Sequence, residues 1–410
     1  MAVVARGLGA AFVPANDAIV LERLRAGPVD ATAQELRRLQ SELAEHPSRE
    51  GVAVRAARLY VAKYREESDP RYLGYAQAAL RPWWDQTPPP PQIGVLRAII
   101  RQSRHDFSGA LADLRQVAPR DPQNAQAWLS LVAVLQTQGD YAAARGACLR
   151  LFRLTDELVA WTCSATTAAL NGDADKGLTL LSEALKRNAS ADPAVRRWAA
   201  TSLAEIAARL GRNDEADARF REALSLPGRD GYLLAAYADF LLDAGRPGEV
   251  VTLLAGQTRD DNLLLRLALA ENAMAPASPA GSEHVAQLGQ RFAASRLRGD
   301  AVHRREESRY ELHLMRDPAA ALRLALENWE VQREPADVRV LLEAAAAAHR
   351  YDAARPVLDW LRNSRLEDVH IARLVAEIEV NDDAKPAARL RDKTADVVAA
   401  ANQASDISHR

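Results

Sequence analysis

The feature that most limits what this chain can fold into is a turn that returns at a fixed distance. Asp106-Phe107-Ser108-Gly109-Ala110 stands 34 residues before Asp140-Tyr141-Ala142-Ala143-Ala144, and Gly172-Asp173 follows Gly139-Asp140 at 33. Gly211-Arg212-Asn213-Asp214-Glu215-Ala216 is a further copy, and Gly245-Arg246-Pro247 falls 34 residues after its start. Near the C-terminus, Arg350-Tyr351-Asp352-Ala353-Ala354 follows Asp317-Pro318-Ala319-Ala320-Ala321 at 33. Between turns the apolar residues keep helical spacing: Trp128, Leu131, Val132 and Leu135 make one helix face. Tyr141 opens a second helix carrying Ala144, Leu149 and Leu151. Gly139 suits the break because glycine adopts positive φ without steric cost. Ala144 suits the crossing of two helices because a small side chain lets backbones approach. Each period is therefore a helical hairpin. A lone hairpin cannot bury its apolar face, so the periods stack into a solenoid with one continuous core.

The stretch from Asp121 to Ala144 resembles a tetratricopeptide repeat. Trp128, Leu131, Gly139, Tyr141 and Ala144 match that family's 34-residue pattern. Val132 and Leu135 stand where Gly and Tyr are usual, and Cys148 replaces the usual second-helix aromatic. The resemblance covers about residues 50–365 and is densest between 91 and 255. It implies an all-α, right-handed superhelix of stacked antiparallel helix pairs that works as a non-catalytic protein-interaction scaffold or adaptor without a cofactor. The chain, with YLGYAQAAL and LRGDAVHRREE, is similar to tetratricopeptide proteins that bacteria export.

In chain order, residues 1–30 read as an N-terminal leader or a disordered segment: one Arg precedes a short apolar run, too short for a membrane span. Residues 31–380 form the solenoid. Leu36, Leu39 and Leu43 share one helix face, Val54, Ala57, Leu59 and Val61 the next, and Asp69-Pro70-Arg71-Tyr72 starts a helix that ends at Trp83-Trp84. Pro88 to Pro91 must be extended and polyproline-like; it reads as a stiff connector in preference to a ligand for an aromatic groove. A lengthened loop is expected around 275–282, with a helix resuming near Glu283. Residues 381–410 read as a capping helix and tail.

A formal net charge of −2 gives no global bias toward nucleic acid or anionic membrane. No apolar run is long enough to predict a transmembrane helix. Signatures of serine hydrolases, phosphate loops, zinc peptidases and zinc-spaced cysteines are missing from the sequence. The one constellation with chemical potential is His303, Glu306, Tyr310 and His313. On a helix the first three share a face and His313 lies one turn on. Imidazole and carboxylate at that spacing suit a metal or a proton exchange, the rival to the adaptor reading. A zinc site needs three or four ligands, and a charged helix face with internal ion pairs is the simpler account.

The family resemblance implies a concave face lined by the first helix of every hairpin. Aligning the repeats by their turns puts Gln92, Gln102, Gln126, Gln136, Glu205, Asp239, His303, Glu306, Tyr310, His313, Arg339 and Glu343 on it. That wall suits an extended peptide or helix of a partner protein, held by side-chain hydrogen bonds. Exposed solenoid ends also allow a homo-oligomer. The same stacking makes neighbours of Cys148 and Cys163, with two readings. In an oxidising compartment a disulfide would close a 15-residue loop, worth roughly 3 kcal/mol in the chain-entropy model. Otherwise they are two small buried apolar side chains. A periplasmic or exported location is favoured over the cytoplasm.

Overall fold

A computed structural model describes residues 31–67, 69–276, 278–299 and 302–381. The segments read above as leader and tail lie outside the described residues, apart from Asn381. Three helices begin the array: α1 (Ala31–Glu45), α2 (Glu50–Glu67) and α3 (Arg71–Ala79), followed by a 3-10 turn at Arg81–Trp83. Hairpins follow, pairing α4 (Pro91–Ser103) with α5 (Phe107–Arg120), α6 (Ala125–Thr137) with α7 (Tyr141–Leu151), and α8 (Glu157–Ala169) with α9 (Ala174–Arg187). Next come α10 (Pro193–Arg209) with α11 (Asn213–Ser225), α12 (Gly231–Asp243) with α13 (Pro247–Leu253), and α14 (Asp261–Met274) with α15 (Pro279–Leu297). The last hairpins are α16 (Arg304–Tyr310) with α17 (Pro318–Trp329) and α18 (Pro335–Ala347) with α19 (Arg355–Ser364), and residues 369–381 are helical. No β-strand occurs among the described residues. This is an all-α stack of antiparallel helix pairs, an all-α repeat fold resembling the tetratricopeptide superfamily.

The recurring turn has a recurring geometry. Gly139, Gly172, Gly211 and Gly245 have φ between 69° and 80°. The residue after each donates its N–H five positions back: Asp140 to Leu135, Asp173 to Ala168, Arg212 to Ala207 and Arg246 to Leu241. That is the Schellman closure of the first helix, which satisfies carbonyls the helix end leaves open. Asp140 then caps the second helix by accepting from Ala143 N, and Asp106 does the same from Gly109 N. His105 and His349 occupy the left-handed position without being glycine, at φ 60° and 54°. The small-residue position is filled by Ala110, Ala144 and Gly177, and the two alanines are fully buried. A Cβ on Gly177 would stand 2.8 Å from the Ala165 carbonyl oxygen, so α8 and α9 touch backbone to side.

Two local readings gain detail. Pro89 is buried, its ring against Gly94, and Pro91 opens α4, so the proline run is a packed connector. The lengthened loop expected at 275–282 is shorter than the sequence suggests. Pro279 already begins α15, and Ser278 caps it through Gly281 N, because proline suits a first helical turn and serine the position before it.

The superhelix closes on itself. The segment from Trp360 to Val369 runs along the row of turn glycines. A Cβ on Gly139 would lie 2.9 Å from Trp360 Nε1, one on Gly172 3.1 Å from Arg365 Cβ, and one on Gly211 3.4 Å from Val369 Cγ1. Gly245, the next in the row, has open space. Arg333 N donates to the Thr137 carbonyl at 2.7 Å, and Thr137 Oγ1 to Glu334. Glu367 accepts from Ala174 N at 2.7 Å, capping α9 from 193 residues away. Trp360 meets Tyr141 and Trp329 edge to face. On the opposite side Arg229 donates to the Glu66 carbonyl.

Candidate functional site

The expected inner-face residues divide into two groups. At the N-terminal end, Gln92 and Gln126 are exposed and line a cavity of about 250 Å³ between α2, α4 and α6. Arg58, Arg65 and Asn124 complete its rim, and Val61, Val95, Leu96 and Ile99 make an apolar floor. These apolar residues are buried from solvent by their neighbours yet present methyl groups to the cavity. Arg58 touches the Gln92 amide at 3.4 Å, Gln126 donates to Ser130, and neither Arg58 nor Arg65 forms an ion pair among the described residues. The cavity offers hydrogen-bonding edges and two cations over a greasy strip. Sequence reasoning missed Arg58 and Arg65 because the repeat pattern is too faint in α2 to set its phase.

Farther along, the expected residues bind one another. Asp239 accepts from Arg266 at 2.6 Å and from Arg309, 70 residues away, at 2.9 Å. Arg339 makes a bidentate pair with Asp243, 96 residues away, at 2.6 and 2.7 Å, and a further bond to Glu343 at 2.7 Å. His313 completes the group at 3.3 Å from Glu343. Burial alone would raise the Asp239 carboxyl, but Arg266 and Arg309 outweigh it and hold it well below the usual range. Burial opposed by His313 and Arg339 leaves Glu343 at about 2. Tyr232, 65% exposed, donates to Glu205 at 2.6 Å. The Glu205 carboxylate beside it drives the phenol well above its ordinary range, while burial raises Glu205 itself. Gln136 is occupied by Thr166 and Thr167, and Gln102 sits half-buried in the last turn of α4.

Two expectations are corrected. Tyr310 does not face the groove. It is 6% exposed, its ring lies against Phe292 and its hydroxyl reaches the Val285 carbonyl. The 19-residue α15 supplies a socket of Leu288 and Phe292, and an aromatic ring gains more there than in water. Glu306 is likewise buried, bonded to Arg305, which also reaches Glu334 and Asp337. Burial opposed by Arg305 and Arg266 puts Glu306 at about 2. His303 precedes α16, Glu306 serves Arg305, and His313 lies in the π-helical turn Glu311–Met315 facing Glu343. The three do not meet as a ligand set, and no group of three or more His, Cys, Asp or Glu able to hold a metal occurs among the described residues. Internal ion pairing is what this charged stretch does.

Cys148 and Cys163 are joined, with Cα atoms 5.7 Å apart, stapling α7 to α8. No helix among the described residues is long and apolar enough to cross a membrane.

The class these features define is an all-α repeat fold of stacked antiparallel helix pairs, a kind of fold commonly used for protein–protein interaction. No protein-family model matches the chain, and no curated protein matches it. Among solved structures it is similar to the APC/C hetero-tetramer Cut9–Hcn1, at 13% identity and TM-score 0.49, covering 85% of this chain and 66% of that one. It thus spans just under two thirds of that chain. It is also similar to a tetratricopeptide repeat protein from Parabacteroides merdae, at 12% identity and TM-score 0.35, covering 76% and 99%. Yeast Tom70 is similar at 10% identity and TM-score 0.35, covering 88% and 97%.

Proposed function

We propose that this protein is a non-catalytic adaptor that holds an extended peptide of a partner protein at the open, N-terminal end of its concave face. The observation that carries the reading is the cavity of about 250 Å³ in which Gln92 and Gln126 meet Arg58 and Arg65 over an apolar floor. Glutamine amides suit a peptide backbone, which needs both a donor and an acceptor along its edge. The floor takes side chains, and preformed helices keep the ordering cost of binding low. The ion-paired remainder of the face acts as internal cement. The test is crosslinked affinity capture from native cells with Gln92→Ala/Gln126→Ala and Arg58→Glu/Arg65→Glu variants. Loss of a discrete partner with an unchanged melting temperature supports the reading; undiminished capture by both variants overturns it.

The Cys148–Cys163 bond supports an oxidising compartment, and with it a periplasmic or exported location. Mass spectrometry of the protein trapped from fractionated cells checks this: a bonded pair in the envelope fraction is expected, and free thiols in the cytosol contradict it. Light scattering over a concentration series separates a monomer from a homo-oligomer.

A further inference from the structure

A second cavity, of about 520 Å³, lies where α5 hands over to α6 and α7 ends. Pro119, Pro122, Trp128, Leu154, Arg150 and Arg153 line it. Its geometry is fixed before anything enters. Trp128 spends its indole N–H on the Pro122 carbonyl at 3.0 Å, so what remains to present is the ring. The two prolines lock the backbone of the wall. The Cys148–Cys163 bond anchors the end of α7, two residues before Arg150. The Arg150 guanidinium stands 5.9 Å from the centre of the Trp128 ring, a cation–π distance at which its N–H edge stays open. Leu149 and Phe152 beside the rim are exposed, at 63% and 38%. Arg150 and Arg153 are exposed too, and neither forms an ion pair among the described residues. The cavity lining has no carboxylate.

A wall that is apolar and aromatic, rigid, and doubly cationic without a counter-ion among the described residues is complementary to one chemistry. We propose that this cavity docks a short acidic segment of a partner protein. An aliphatic or proline side chain of that segment lies on Trp128 between Pro119 and Pro122, and neighbouring carboxylates are received by Arg150 and Arg153. Arginine stacked on an aromatic ring keeps its planar donor fork for a carboxylate, which lysine cannot match. Two cations beside a single aromatic platform make no track for a nucleic-acid backbone, which needs a longer basic stripe.

The experiment uses the full chain and a panel of fluorescein-labelled hexapeptides. Each carries a pair of glutamates beside one apolar residue (Leu, Ile, Phe, Trp or Pro), and each has a lysine-for-glutamate counterpart. Fluorescence anisotropy at low salt is expected to show binding of at least one acidic peptide and of no basic counterpart. Arg150→Glu/Arg153→Glu is expected to weaken that binding about tenfold or more, and Trp128→Ala comparably, with the Arg58→Glu/Arg65→Glu variant unaffected. Added salt should weaken it as well. Both arginines are exposed, so an unchanged melting curve certifies the double variant's fold. Failure of every acidic peptide to bind overturns the proposal. So does binding that survives the Arg150/Arg153 reversal, or that is lost only with Arg58→Glu/Arg65→Glu, which would place acidic peptides on the concave face and leave the adaptor reading standing.

Discussion

The two groups of residues expected on the inner face share a repeat and differ in what their charges do. At the N-terminal end Arg58 and Arg65 lack a carboxylate among the described residues, and Gln92 and Gln126 look onto a cavity. At the other end Asp239, Arg266, Arg309, Asp243, Arg339 and Glu343 neutralise one another. The repeat decides which way a side chain points. The winding of the superhelix decides whom it meets, because it brings together residues 70 and 96 positions apart. A solenoid groove is therefore only as available as its own curvature leaves it.

Several substitutions break or sharpen that contrast. Asp239→Ala has the largest expected effect on stability. It leaves Arg266 and Arg309 facing each other without their shared carboxylate, and removing one partner of such a group costs about 2–3 kcal/mol here, where water screens part of it. The midpoint of urea unfolding reads it, whereas Gln126→Ala at the open end should leave that midpoint in place. Acid sharpens the same division. Burial holds His105 at about 4, below the ordinary imidazole value near 6.5. The unfolded chain therefore binds this proton first, so stability falls as pH drops from about 6.5 to 4. Glu306 and Glu343, both at about 2, have depressed folded values, so their contribution is present above about 4.3 and is lost as pH falls toward 2. Thermal melts at stepped pH should show the upper slope flatten in His105→Asn, since asparagine tolerates the left-handed backbone.

The glycine row gives a smaller and cleaner comparison. Gly139→Ala and Gly245→Ala impose the same left-handed strain, but only the first drives a methyl into Trp360. We expect about 2 kcal/mol against about 1 kcal/mol, and equal losses would contradict the closure of the C-terminal segment over the turns. Glu367→Ala removes the cap of α9 and should cost about 1 kcal/mol, since Asp173 makes no side-chain cap of its own.

How much was legible follows from the same physics. The period, the glycine turns and the small residue at each crossing are local requirements, so Gly139, Gly172, Gly211, Ala144 and Ala110 announce themselves. Most first-helix side chains were assigned to the inner face by counting from those turns. Counting misplaces Tyr310, whose socket is made by the unusual length of α15. It is silent on His105, which takes a glycine's place without looking like one. It also missed the closure, because Trp360, Arg365 and Val369 read as ordinary helix residues until the winding sets them on the glycines. The loop near 275–282 looks longer in the sequence than it is because Pro and Ser favour turns as well as helix starts, and here Ser278 caps and Pro279 opens α15.

The most direct test of the account is site-specific photocrosslinking of the full chain in its native cells. A benzophenone side chain is placed at Gln92, at Gln126 or at Tyr232, where it replaces one aromatic group by another on α12, the helix that carries the ion-paired Asp239 and Asp243. The account predicts partner adducts from positions 92 and 126 and none from 232. Adducts from 232 with none from the open end would contradict it.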